Sequence, residues 1–326
     1  MSSPSGLVDP LAPLAAPLRV DALFDTLSKE ERATVVTPNR RLAVYLKHEF
    51  DAVQRRAGKD AWATPDIIPL ATFLERSYRA MSLRAEDAKR PRILDAAQNQ
   101  LLWEQVVRAS GNWNELLSLS KTAKQAAAAW SLAHSWDLFS AMRRIPLAED
   151  AAVFLAWAQR FEQLCAERGV MDIAALPAAM VRWMHTDSEQ RAAWREVLPH
   201  KLFTAGFDIV TPQQQTFLRA CVDIGVFVMP VDAGAPVAAT QCRRFEFATE
   251  DAELQGCAAW VRQHLLSDPH QRIAIVVPDL RAKRGAVVRT LTDALQPGQR
   301  AHPQSTPNRT SAVFNVSLGL ALADYA

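Results

Sequence analysis

Three stretches of the chain share one pattern, and that pattern limits the folds open to it. They are VVTPNRRLAVYL (residues 35–46), DIVTPQQQTFLRAC (208–221) and IAIVVPDLRAKRGAVV (273–288). In each, a short β-branched run ends in proline, and apolar residues then recur at helical spacing. Runs that are apolar on both faces and alternate with helices belong in a parallel sheet covered on both sides. Proline suits the first helical position, where its missing N–H would have no intrahelical partner anyway. Thr37 and Thr211 are the expected N-caps, and Gln214, three residues after Thr211, completes a capping box.

Between the first and second units, roughly residues 80 to 200, the strand signal disappears. Helical spacing marks AAQNQLLWEQVVRAS (96–110), NELLSLSKTAKQAAAAWSLA (114–133) and AEDAAVFLAWAQRFEQLCAERG (148–169), the last stopped by Gly169. Seven of the nine tryptophans fall here, at 103, 113, 130, 136, 157, 183 and 194. Exposed tryptophans can stack nucleobases, but this helical spacing assigns these to a core. The expected organisation is an α/β domain interrupted by a helical insertion. VDAGAPVAATQ (231–241) reads as a linker. After it come an expected strand, RRFEFAT (243–249), a helix (250–266) and the third unit.

The amino-terminal stretch is broken by prolines and has no basic n-region, so residues 1–29 read as an irregular arm rather than a signal peptide. No apolar run reaches membrane-spanning length. The four cysteines, at 165, 221, 242 and 257, lack metal-ligand spacing and read as buried thiols of a reducing compartment. A cytoplasmic protein without a membrane partner is expected.

The net charge is only +2, so a nucleic-acid partner would need a local basic cluster. None of the eleven glycines is spaced as GxxxxGK[ST], and a phosphate cradle needs glycine for close backbone approach. GxGxxG, GxSxG and HExxH are also absent, and the seven histidines are scattered. No cofactor, metal site or catalytic residue is expected. Pro65-Asp66 followed by Asp87-Ala88-Lys89 fits a loose metal-nuclease pattern. That chemistry needs its carboxylates on adjacent strands, whereas Asp87 and Lys89 lie in a polar stretch between helices, so the match reads as coincidence.

The positive feature is the turn Thr37-Pro38-Asn39-Arg40-Arg41. In the following helix, Leu42, Leu46, Phe50 and Val53 share one face, with Tyr45 beside them. Two cations in a first helical turn oppose the helix dipole, at roughly a few tenths of a kcal/mol. The turn also stands at the carboxyl end of a strand, where open α/β sheets bind ligands. Backbone N–H groups, Thr37, Asn39, Arg40 and Arg41 together suit a nucleic-acid phosphate; a solvated helix start is the alternative.

The order of segments resembles a superfamily-1 DNA helicase whose ATPase motifs have decayed. VVTPNRRLA resembles the motif that touches single-stranded DNA. PDIIPLATFLERSYRAM (65–81) resembles the next motif, with Thr72-Phe73 opening a helix. RGVMDIAALPAAM (168–180) resembles the segment closing the inserted helical subdomain. KLFTAGFDIVTPQQQTFLRAC (201–221) falls at the Walker B strand, where Gly206, Phe207 and Asp208 stand in place of the acidic pair. VFVMPVD (226–232) resembles the next strand, and residues 245–280 resemble the opening of a second domain.

The nearest likeness is to AddB-type subunits of bacterial helicase–nuclease complexes, and to DNA-repair proteins described as an inactivated helicase with a C-terminal nuclease. That resemblance implies a RecA-like (P-loop-NTPase-like) parallel-sheet domain at 30–80 plus 200–235, a helical insertion at 81–199 and part of a second RecA-like domain at 241–326. It implies single-stranded DNA binding through Thr37, Asn39, Arg40, Arg41, Thr72 and Phe73 without ATP hydrolysis. It also implies a partner subunit, and a nuclease in a C-terminal part outside this chain. The alternative is a scaffold that docks a motor or nuclease subunit. A small-molecule enzyme ranks last, because no convergent acid–base set is visible.

Overall fold

The computed structural model describes residues 18–30, 32–84, 90–111, 118–232, 242–297 and 313–317. The chain divides into two compact units, Met1–Pro236 and Val237–Ala326.

The first unit opens with β1 (Leu18–Arg19), α1 (Val20–Lys29), β2 (Ala33–Thr37), α2 (Arg40–Arg56), β3 (Ile67–Pro69) and α3 (Leu70–Arg84). A mainly helical passage follows: β4 (Arg92–Ile93), α4 (Ala96–Ala109), α5 (Leu119–Ser135), α6 (Leu138–Met142) and α7 (Glu149–Glu167). It continues through β5 (Val170–Met171), a 3-10 turn (Ile173–Ala175), α8 (Leu176–Met184) and α9 (Ser188–Val197). β6 (Lys201–Ala205), α10 (Pro212–Asp223) and β7 (Phe227–Asp232) close the unit.

β1, β7, β6, β2 and β3 lie side by side in that order, and every adjacent pair is parallel. Period-2 alternation sorts the side chains to two faces. Ala33, Val35 and Phe203 point towards α1 and α2, where they meet Leu23, Phe24, Leu46 and Phe50. Val36 and Leu202 point the other way, against Phe73, Met180, Trp194 and Phe217 from α3, α8, α9 and α10. Both faces are therefore covered, which is why these strands carry no polar alternation.

The helical passage has its own core. Trp103 stacks on Phe161 with centroids 4.1 Å apart, and Trp130 meets both rings edge-on. Trp103, Trp130 and Trp194 are buried, in keeping with the core reading of the tryptophans; Trp136 is exposed, and Trp113 lies outside the described residues. Buried Asp172 ties this core to the rest. Its Oδ1 accepts from Trp130 Nε1–H (3.0 Å) and from the Ala174 N–H (2.8 Å). Burial raises the pKa of its carboxyl, and these hydrogen bonds partly oppose the rise.

Three expectations need correction. The stretch 18–29 is no irregular arm: β1 extends the sheet, and α1 buries Leu23 and Phe24 against it. VDALFDTLSK has no proline and carries apolar residues at helical spacing, so a helix there satisfies its local pattern. Next, Thr37 does not cap α2. Asn39 does, its Oδ1 accepting from Leu42 N–H at 3.0 Å, so Pro38 lies outside the helix. Thr211 does cap α10, with Pro212 in the first turn and a reciprocal capping box to Gln214. The residue after proline decides: Asn39 is a strong cap, whereas Gln213 is not, so the cap falls back on the threonine before the proline.

The third correction concerns the second unit. Its described elements are α11 (Glu250–Ser267) and α12 (Leu280–Leu295), packed through Ala258, Val287 and Leu291. The strands expected at 243–249 and 273–277 are not formed. Phe245 is 64% exposed and Val276 89% exposed. A ladder needs a neighbouring strand, and the described part of this unit offers none.

Candidate nucleic-acid interface

β2 and β6 are neighbours, in register from Ala33 opposite Lys201 to Val36 opposite Thr204. From β2 the chain moves to β3 on one side. After the helical passage it returns to β6 on the other side, and continues outward to β7. The strand order thus reverses between β2 and β6. Helix α2 leaves β2 towards one face of the sheet, and α10 leaves β6 towards the other. A crevice at the carboxyl ends of two such strands is the usual ligand position in open α/β sheets.

The two turns flanking this crevice are built differently. On the β2 side, the Thr37 side chain is fully buried and donates its hydroxyl to the Asn39 carbonyl (2.8 Å). That bond fixes Asn39, which in turn caps α2. Pro38, Asn39, Arg40 and Arg41 are exposed. On the β6 side, Gly206 has φ 71°, and a Cβ there would come within 2.3 Å of Leu42 Cδ2. Only glycine combines this left-handed backbone with so close an approach. Phe207 packs against the core on the α10 face, and Asp208 is exposed.

From the end of β3 the chain passes straight into α3. Thr72 is exposed in its first turn. Phe73 is 0% exposed and meets Phe217 edge-on at 6.4 Å. The expectation that Phe73 touches a ligand is therefore corrected: with no loop after β3, its side chain is turned into the core. Thr37 likewise acts from behind, through Asn39. The exposed members of the predicted set are Asn39, Arg40, Arg41 and Thr72.

Sequence reasoning missed the continuation of this surface along α2. Arg40, Arg41, Val44, Tyr45 and His48 line an open concavity of about 640 Å³. The signal was present, since these positions are offset from buried Ala43, Leu46 and Phe50 around the helix.

Asp66, from the nuclease-like pattern, lies at the opposite, amino end of the sheet. It takes two hydrogen bonds from Arg76 (2.7 and 2.6 Å) and one from Thr34 (2.6 Å). Asp87 and Lys89 lie outside the described residues. Among the described residues, no three His, Cys, Asp or Glu side chains converge as a metal would require. No helix there is long and apolar enough to cross a membrane. Compared with models of known protein families and with curated proteins, the chain matches none.

Proposed function

We propose that this chain is a non-catalytic, helicase-like module that binds single-stranded DNA within a DNA repair or recombination helicase–nuclease, without hydrolysing ATP. The carrying observation is the exposed basic turn Asn39-Arg40-Arg41 at the crevice where the strand order reverses. Guanidinium groups and helix-start N–H groups are the donors that phosphate oxygens accept from. The parallel sheet, interrupted between β3 and β6 by a helical passage, supports a RecA-like reading of the first unit. The order of the AddB-type motifs supports the repair setting. At the Walker B position the strand ends at Ala205 and is followed by Gly206, which lies against Leu42, so no carboxylate stands at the strand's tip.

A scaffold role is the second reading. It is favoured by an open groove of about 940 Å³ among α4, α5 and α7, lined by Val106, Ala126, Val153, Phe154 and Trp157.

Anisotropy of a labelled single-stranded oligonucleotide across a salt series separates the two. DNA binding predicts salt-sensitive affinity that weakens in Arg40→Ala/Arg41→Ala. The log–log salt slope should fall by about 0.7 for each phosphate no longer neutralised. Salt-independent or absent binding in the wild type removes the DNA reading and leaves the scaffold.

A further inference from the structure

Arg40, Val44 and His48 succeed one another at one-turn spacing along α2, and Arg41 and Tyr45 run beside them. Residues one turn apart are surface neighbours, so the five side chains form a strip. From Arg40 to His48, eight helical rises, it extends about 12 Å. Tyr45 is 57% exposed and Val44 44% exposed. The side chains of Arg40, Tyr45 and His48 make no hydrogen bond, ion pair or ring contact with another described residue. The residues lining this concavity include no carboxylate. A lone exposed tyrosine needs no explanation. One aligned with uncommitted arginine and histidine side chains, starting at the sheet's crevice, is a surface of planar faces beside positive charge.

We propose that this strip is a base-stacking platform for single-stranded nucleic acid. The Arg40–Arg41 turn holds backbone phosphate, and the rings of Tyr45 and His48 take the adjoining bases. The inference rests on the DNA-binding reading above and adds to it a requirement for bases. Charge complementarity selects a polyanion, and the aromatic faces select one whose bases are unpaired. Every base has a π-face, so the platform is tolerant of sequence.

Two probes of equal charge test it: an oligothymidylate and an abasic oligonucleotide of the same length, each titrated by anisotropy across a salt series. Wild type is expected to bind the thymidylate on the order of tenfold tighter. Tyr45→Ala should cut that preference several-fold and Tyr45→Ala/His48→Ala should remove it, each leaving abasic affinity and salt slope unchanged. Tyr45→Phe, which keeps the ring, should retain it. Arg40→Ala should instead lower both affinities together and reduce the slope. Equal wild-type affinity for the two probes overturns the platform while leaving phosphate binding intact, as does a Tyr45→Ala variant that keeps the whole preference. Absence of binding to either probe overturns the platform and the DNA-binding reading together.

Discussion

The two ends of the sheet in the first unit use charge in opposite ways. At the amino end, charges are consumed by the protein itself. Arg32 donates to the carbonyls of Glu196 (2.6 Å) and Leu198 (2.8 Å), and its other terminal nitrogen lies 3.1 Å from His200 Nε2. Glu30 pairs with Lys201, and Asp66 is shared by Arg76 and Thr34. A concavity of about 310 Å³ opens here too, but Arg32, Asp66 and Arg76, the charged groups on its wall, are all committed. At the carboxyl end, Arg40 is uncommitted and the turn that bears it is held by neutral groups, Thr37 and Asn39. Charge spent on neighbours keeps the strand starts together. Charge left unspent at a strand-order reversal is available to a ligand.

The largest stability effect should come from the amino end. Asp66→Ala removes two Arg76 bonds and leaves the buried Thr34 hydroxyl without its acceptor, a cost of about 1–3 kcal/mol. Urea midpoints should fall accordingly, while oligonucleotide affinity stays at the wild-type value. An affinity loss matching that of the Arg40 variant would erase the division between the ends.

The pH dependence sharpens the same point. Burial alone would raise the Asp66 carboxyl, but hydrogen bonds from Arg76 and Thr34, with the charges of Arg76 and Lys47, outweigh it and hold it below 3.8. As pH falls below 3.8, the unfolded chain binds the proton first, so this contribution is complete above that value and is lost through the lower folded pKa. Asp66→Asn should flatten that limb. A separate limb belongs to His134 of the helical passage. Burial, aided by Arg182 and opposed by Asp137, pushes its imidazole from 6.5 down to about 4. Stability should therefore decline as pH drops from 6.5 towards about 4, and His134→Phe should remove that decline alone.

Gly206→Ala probes the carboxyl end by a different route. Its φ of 71° and the 2.3 Å approach to Leu42 Cδ2 mean strain and a displaced side chain. The leucine's terminus can rotate away, so backbone strain dominates, at about 1–2 kcal/mol. Unlike Asp66→Ala, this change should also weaken oligonucleotide binding, because Leu42 lies in the first turn of α2. A stability loss with unchanged affinity would detach the Gly206 side from the interface.

How much of this was legible follows the range of the forces involved. Capping chemistry is local, so Thr211 and Gln214 could be read directly, and the competition between Thr37 and Asn39 was readable from the residue after proline. β2, β3, β6 and β7 were legible because their apolar runs found neighbours in the sheet; β1 was not, and Asp208 to Val210, read as a strand before Pro212, forms none, with Ile209 68% exposed. Ile273 to Val277 carries as strong a strand pattern, yet forms none. Strand formation depends on pairing, and no window of sequence contains the partner. The same limit explains Phe73. Its place beside Thr72 suggested a contact, but the direct passage from β3 into α3 sets which side faces the core, and that is a tertiary fact. Tyr45 was within reach of periodicity, being offset from Leu46 and Phe50, but exposure acquires meaning only beside uncommitted charges.

The smallest expected stability effect is at Arg40 and Arg41. Both are exposed, and exposed substitutions away from buried networks stay within about 0.5 kcal/mol. Removing cations from the first turn of α2 also relieves their conflict with the helix dipole, which offsets part of whatever packing the truncation removes. Arg40→Ala/Arg41→Ala should thus unfold at the wild-type urea concentration while losing salt-sensitive DNA affinity. Such a result sets the carboxyl end apart from the amino end by function rather than by strength. If the double variant instead unfolds as easily as Asp66→Ala, the arginines are structural like their counterparts at the other end. The turn would then hold the fold together rather than a phosphate.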